Sequence, residues 1–218
     1  MSIRILLVDD HKMFREGLRA ILERDKTLTV VGEASDGRAA VEMAAGPLSP
    51  DVLIMDIGMP GLNGVDAARQ VLANRPEIKV IALSAHADRR FVAAMLDAGA
   101  SAYVLKEAAS EEILRAVQAV RCGRKYLSPE IAGTVIEDYL STNPAGGTGR
   151  VHPRLAARER EIVQLLAEGK TSKEVATILH ISVKTVETHR RNIMSKLKVD
   201  SIASLTKFAI REGLTSAD

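Results

Sequence analysis

Five short apolar runs punctuate the first 125 residues: IRILLV (3–8), LTVVGE (28–33), DVLIMD (51–56), KVIALS (79–84) and SAYVLK (101–106). Between them lie stretches such as FREGLRAILE and AARQVLANR, whose apolar residues stand three and four apart, the spacing of one helix face. Runs this short and this uniformly apolar suit strands covered by helices on both sides. Their alternation with helices is the pattern of βα units around a parallel sheet. The expected fold is therefore α/β, a doubly wound five-stranded parallel sheet, followed by a smaller all-α part.

In such a sheet ligands bind at the carboxyl ends of the strands. Asp9, Asp10, Asp56, Ser84 and Lys106 all fall at or just beyond those ends. Converging carboxylates repel: two charges about 4 Å apart cost about 4 kcal/mol at an effective dielectric of 20. A trapped proton or a bound cation must compensate them. A hard cation with oxygen ligands, Mg²⁺, suits Asp9, Asp10 and Asp56, because it accepts one or two carboxylates together with water and phosphate oxygens. Lys106 adds a positive charge and Ser84 a hydroxyl. This is equipment for phosphoryl transfer, with Asp56 as the nucleophile that carries an acyl phosphate. The turn MPGLNG that follows Asp56 lets backbone groups approach the site.

The remainder of the chain has a different character. A helix is expected over Ile131–Leu140, and residues 143–153 then hold three glycines and two prolines, the composition of a linker. As a flexible coil of that length it spans roughly 18 Å root-mean-square. From Leu155 onward only helical patterns occur: AREREIVQLLAEG, SKEVATILH, VKTVETHRRNIMSKL and SIASLTKFAIREG. Thr171 and Glu174 form a capping box, and Ser182 is a good N-cap. Two short helices joined by the tight HIS stretch describe a helix-turn-helix.

Charge divides at the same place. Residues 1–149 hold 17 Lys/Arg and 20 Asp/Glu, a balance of −3, whereas residues 150–218 hold 13 and 8, a balance of +5. The basic end is a candidate for nucleic acid. No apolar run approaches a membrane span of roughly 20 residues. The opening MSIRILLVDD is too short in its apolar part for a signal peptide. The single cysteine, Cys122, excludes an internal disulfide and fits a reducing compartment, so a cytoplasmic protein without a membrane partner is expected.

Five positions in order now carry a resemblance. The pair Asp9–Asp10, the pattern D-x-x-M-P-x-x-x-G over 56–64, Ser84 and Lys106 resemble a receiver domain of a two-component response regulator. The pattern R-E-x-E-I-V-x-L-x-A-E-G…K-E-V-A-x-x-L-x-I-S-x-x-T-V-x-x-H resembles the LuxR-type helix-turn-helix. Together they resemble the NarL/FixJ subfamily over essentially the whole chain. The organisation implied is a receiver of flavodoxin-like fold over 1–125, a helix and flexible linker over 126–153, and a helix-turn-helix DNA-binding domain over 154–218.

The resemblance implies that Asp56 takes a phosphoryl group from a sensor histidine kinase. Asp10 would hold Mg²⁺ directly and Asp9 through water, joined by Asp56 and the Gly58 backbone carbonyl. Ser84 and Lys106 would bind the phosphoryl oxygens, and Ser84 moving inward would let Tyr103 turn toward the core as a switch. The last helix would supply a homodimer contact on promoter DNA, with RNA polymerase as a further partner. No turnover enzyme is implied, only assistance to the domain's own phosphorylation and dephosphorylation.

Placing residues 183–197 at 100° per residue puts Val183, Val186, Ile193, Met194 and Leu197 on one side. Lys184, Thr185, Thr188, Arg191, Asn192 and Ser195 fall on the other, as a helix lying in the major groove requires. Phosphate contacts are expected from Lys170, Thr171, Lys173, Lys184 and Arg190, and base-edge contacts from Glu187, Thr188 and Arg191. Thr185 shares that face.

The sequence departs from relatives at five positions. Ala156 stands where an N-cap Thr is usual, Glu107 follows Lys106 where many receivers have Pro, Glu187 occupies an often basic position, and Gly58 and His86 lie where dephosphorylation is tuned. Two other readings fit part of this pattern. An aspartyl phosphohydrolase usually has its general acid two residues after the nucleophile, where this chain has Gly58. A regulator independent of phosphorylation would leave the five site residues without a role.

Overall fold

The computed structural model describes residues 2–85, 87–107, 110–141 and 155–215. The expected linker over 143–153 and His86 lie outside them. The chain divides into two compact units, residues 1–142 and 143–218.

The first unit runs β1 (Ile3–Val8), α1 (Lys12–Leu22), β2 (Leu28–Ala34), α2 (Gly37–Ala45), β3 (Val52–Asp56), α3 (Gly64–Asn74), β4 (Lys79–Ser84), α4 (Arg89–Asp97), β5 (Ala102–Leu105), α5 (Ser110–Arg121), β6 (Tyr126–Leu127) and α6 (Pro129–Ser141). Its strands form one parallel sheet in the order β2-β1-β3-β4-β5-β6. Because successive side chains of a strand point to opposite faces, each apolar run feeds two cores. Leu6, Val8, Leu53, Met55, Val80, Ala82 and Tyr103 join one; Ile5, Leu7, Ile54, Ile81, Leu83 and Val104 join the other. This double burial is why the runs are apolar throughout rather than alternating.

The sheet has six strands, not the expected five. The added β6 is two residues long and extends the edge beside β5, with Tyr126 N–H donating to Ser101 O at 3.1 Å and Ser128 N–H to Tyr103 O at 3.0 Å. Two residues carry no periodicity, so nothing in the local sequence marks them. The following helix begins at Pro129, two residues earlier than expected, and buries Ile131 in the core that contains Tyr103. Residues beyond 125 thus continue the first unit. Ser128, fully buried, ties the junction together: its hydroxyl donates to Glu112 Oε2 at 2.6 Å.

The second unit is helical: α7 (Ala157–Ala167), α8 (Ser172–Leu179), α9 (Val183–Leu197) and α10 (Ile202–Arg211). Ile162, Val163, Val175, Val186, Ile193 and Ala209 are fully buried in a core shared by all four. Ala156 has N-cap backbone geometry without a capping side chain, and Glu159 compensates by accepting from Ala156 N–H at 2.8 Å. No helix among the described residues is long and apolar enough to cross a membrane.

Candidate functional site

The order of strands reverses at β1, which lies between β2 and β3, so the carboxyl ends of β1 and β3 open onto a crevice where ligands bind in such sheets. Val8 pairs with Met55 and Asp56 with Leu83, which sets Asp9 and Asp56 side by side at that edge. Asp9 and Asp56 are 1% and 4% exposed, a degree of burial that charged groups tolerate only when compensated.

Lys106, on the turn after β5, supplies part of the compensation. Its Nζ stands 2.7 Å from Asp9 Oδ2 and 2.8 Å from Asp56 Oδ2. Gly58 N–H donates to Asp56 Oδ1 at 3.2 Å, and His11 N–H donates to Asp9 Oδ1 at 2.8 Å. Burial pushes the Asp56 carboxyl above the usual carboxylate range; Lys106 opposes the rise and Asp9 adds to it. Burial alone would lower the Lys106 ammonium, but its bonds to Asp56 and Asp9 outweigh that and hold it above its ordinary value.

Three carboxylates and one ammonium leave two negative charges unmatched within a pocket. Asp9 Oδ2 and Asp10 Oδ1 are buried atoms met by ion-pair contacts, from Lys106 Nζ at 2.7 Å and His11 Nδ1 at 2.8 Å. Oxygen donors and excess negative charge on buried carboxylates fit a hard dication. Asp9, Asp10, His11 and Asp56 each bring a donor atom within 4.8 Å of the others.

The turn beyond Asp56 is shaped by close approach. A Cβ on Gly64 would lie 2.0 Å from the Asp56 carbonyl oxygen, and Gly64 N–H donates to Ile57 O at 2.9 Å. Asn63 caps α3 by accepting from Asp66 N–H at 2.9 Å. Together these fold the strand end back tightly and hold the Asp56 side chain at the rim.

Ser84 closes β4 beside the pocket and is buried, with its hydroxyl bonded to Tyr103. Tyr103 is fully buried and lies in the core, the position expected only after Ser84 moves inward. Burial pushes its phenol up to about 12, against the pull of the Ser84 hydrogen bond.

Three neighbours lie close to the pocket, and two of them, Phe14 and Arg15, escaped the sequence reading. Phe14 places its ring 5.0 Å from Lys106 Nζ, a cation–π distance. Arg15 donates to Asp9 O at 2.5 Å and pairs with Glu33 at 3.3 Å, clamping α1 to the end of β1. His11 is exposed at the helix start, and its Nδ1 stands 2.8 Å from Asp10 Oδ1. The available signal was position: all three lie within six residues of Asp9, on the turn and first helical turn that follow the acidic pair.

In the second unit α8 opens with the expected capping box. Thr171 N–H and Oγ1 donate to Glu174 Oε2 at 2.8 and 2.7 Å. His180 ends the helix in a left-handed conformation, φ 52°, and Ser182 starts α9 by accepting from Thr185 N–H at 3.0 Å. Arg158 braces the corner, donating to Leu179 O at 2.6 Å and pairing with Glu161 at 2.8 Å.

On α9, Val186 and Ile193 are buried while Met194 and Leu197 are partly so. Val183 is not part of that face: it is 43% exposed, because the shared core begins one turn later, at Val186. Lys184, Thr185, Glu187, Thr188, Arg191, Asn192 and Ser195 are all exposed, and Arg190 is half-buried. Lys170, Thr171 and Lys173 are exposed at the start of α8. The described surface of the helix-turn-helix thus presents the residue types expected for phosphate and base-edge contact.

A model of the response regulator receiver domain matches residues 5–118, and one of bacterial regulatory proteins of the luxR family matches residues 153–209. The transcriptional regulatory protein LiaR of Bacillus subtilis (strain 168) is 40% identical over 214 residues, 98% of this chain and 100% of that protein. A solved complex of the response regulator RcsB with DNA is 26% identical, covers 97% of this chain and 99% of its own, and has a TM-score of 0.60. The isolated receiver domain of RcsB from Salmonella enterica serovar Typhimurium, solved in the presence of the phosphomimetic BeF3⁻, is 26% identical with a TM-score of 0.57. It covers 61% of this chain and 98% of its own.

Proposed function

Because the chain belongs to the two-component response regulators of the NarL/FixJ type, with a receiver domain and a LuxR-type DNA-binding domain, we propose that Asp56 is its phosphoacceptor. A sensor histidine kinase would supply the phosphoryl group. A carboxylate oxygen of Asp56 bonds to phosphorus as the phosphorus–nitrogen bond of the phosphohistidine breaks, and the imidazole departs with the nitrogen's electron pair. The protein's task in such a transfer is to position groups and neutralise charge.

Asp9, Asp10, Asp56 and the Gly58 carbonyl would hold Mg²⁺, which when bound neutralises charge that develops on the phosphoryl oxygens. Lys106, already between Asp9 and Asp56, would bind one phosphoryl oxygen and Ser84 another. Ser84 drawn to the phosphoryl group leaves Tyr103, and that exchange of partners is the switch. It would promote a homodimer whose paired α9 helices read two half-sites in promoter DNA, through Arg191, Glu187 and Thr188 at base edges. Lys170, Thr171, Lys173, Lys184, Thr185 and Arg190 would position the helix on the backbone. The RcsB structures on DNA and with BeF3⁻ support both halves of this reading. A cytoplasmic regulator, not a turnover enzyme, is what the reading requires.

The observation that carries it is the bridge of one lysine across two buried carboxylates at a strand-end crevice. Intact mass after incubation with Mg²⁺ and a small phosphodonor tests it. One added phosphoryl group in the wild type and none in Asp56→Asn is expected. Addition to both would place the acceptor elsewhere.

A further inference from the structure

We infer that Phe14 is a positioning residue for the phosphoryl transfer: the face of its ring keeps the Lys106 ammonium at the pocket when the carboxylates turn to other partners. The inference rests on the phosphoacceptor reading above and adds to it a residue that acts through Lys106.

The ammonium has three N–H donors and no acceptor. Two sides of it are taken by Asp9 Oδ2 at 2.7 Å and Asp56 Oδ2 at 2.8 Å. Lys106 Nζ also stands over the Phe14 ring, 5.0 Å from its centroid, inside the roughly 6 Å over which a ring face attracts a cation. The Lys106 side chain is 16% exposed, so water screens that attraction little. Neither group is free to drift. Lys106 N–H donates to Ser84 O at 2.7 Å, which fixes its backbone beside the end of β4. Phe14 lies on the same face of α1 as the buried Leu18 and Leu22, half-buried against the core that contains Leu7, Leu83 and Val104. Arg15, bonded to Asp9 O and paired with Glu33, holds the same turn of the helix to β1.

Competition for the carboxylates is what makes the ring matter. The two oxygens that hold Lys106 belong to residues that would also hold the dication. A dication there draws on the same carboxylates and repels the ammonium as a like charge. A hold made of ion pairs alone is therefore weakest in the state that reacts. The ring has no net charge and offers no oxygen donor, so its attraction for the ammonium survives that exchange. Lys106 then stays within reach of a phosphoryl oxygen, and a leucine at position 14 would fill the core without holding it.

The test uses the full chain with Mg²⁺ and a small phosphodonor, and follows the rate of mass gain. Phe14 is replaced by phenylalanines carrying one, two and three ring fluorines, which nearly keep the shape of the ring and drain negative charge from its face in steps. Expected is a fall in the logarithm of the rate with each fluorine, reaching about threefold to thirtyfold in all, with Phe14→Leu at the slow end. The same series in a Lys106→Met background should be flat. A rate independent of fluorination would overturn the inference and leave Phe14 as core packing, even if Phe14→Leu is slow. A fluorine dependence that persists without Lys106 would overturn it too, because the ring would then act on another group. No mass gain in the wild type would overturn it together with the phosphoacceptor reading.

Discussion

Lys106 and Asp56 meet at 2.8 Å, and Lys106 is the one cationic side chain paired with the pocket carboxylates among the described residues, apart from any charge on His11. Lys106→Met keeps the length of the side chain and removes its charge. A dication then has no ammonium competing for Asp9 and Asp56, and Mg²⁺ should bind more tightly, by about tenfold for each 1.4 kcal/mol of repulsion relieved. Phosphorylation should nonetheless slow by about 10²–10³, the usual cost of removing a group that stabilises developing negative charge. Calorimetry with Mg²⁺ and the rate of mass gain from a phosphodonor check the two arms. Losses in both together would mean that Lys106 mainly holds the pocket open.

Gly64 and Gly58 flank the same turn and should respond oppositely to alanine. At Gly64 the added Cβ meets the Asp56 carbonyl at 2.0 Å, so the strand end must move. A loss of about 3 kcal/mol or more and failure to phosphorylate are expected, as for other overpacked backbone contacts. At Gly58 nothing lies within 4 Å of a Cβ, and Gly58→Ala should leave the thermal midpoint of the receiver unchanged. Thermal unfolding of the two variants side by side decides the matter.

Much of this was legible in advance because each apolar run is both a strand signal and a pointer to the carboxyl end of that strand. Asp9, Asp56, Ser84 and Lys106 could be placed from that pointer alone, before any side-chain geometry. What was hidden was hidden for physical reasons. The two-residue β6 earns its place through hydrogen bonds to β5 rather than through any pattern of its own. Phe14 and Arg15 reach the pocket through side-chain direction on a helix, which spacing along the chain does not report. Val183 obeys the helical period yet sits one turn before the core starts, so its exposure depends on where α8 ends. The burial of Tyr103 fits its place in the apolar run 101–106, whereas its hydrogen bond to Ser84 is a packing outcome that the run does not report.

Tyr103 offers a pH readout of that packing. Its phenol is pushed up to about 12 by burial, two units above the ordinary value of 10.0. A group whose folded-state value is raised adds stability that is fully present below its unfolded value and is lost as pH rises. The receiver should therefore hold its stability to about pH 10 and lose the Tyr103 contribution between about pH 10 and 12. Tyr103→Phe should remove that part of the alkaline loss. Ultraviolet titration at the tyrosinate band should show one phenol of the three ionising last in the wild type and missing from the variant. An early titration of Tyr103 would mean that the ring leaves the core readily.

Two exposed cations on α9 should separate reading from holding. Arg191 lies on the exposed face that backs Val186 and Ile193, placed for a bidentate contact with guanine. Lys184 sits one turn earlier than Thr188, whose hydroxyl donates to the Lys184 carbonyl at 2.9 Å, near the helix N-terminus where phosphates are bound. Arg191→Ala should lose about 1–3 kcal/mol on the preferred site and much less on a site altered at that base pair, flattening specificity. Lys184→Ala should weaken binding to all sequences alike and reduce the salt slope by about one. The measurement is a salt titration of affinity for both variants on the preferred and altered duplexes. Arg191→Ala losing affinity equally on both would assign it to the backbone and move base reading to Glu187 and Thr188.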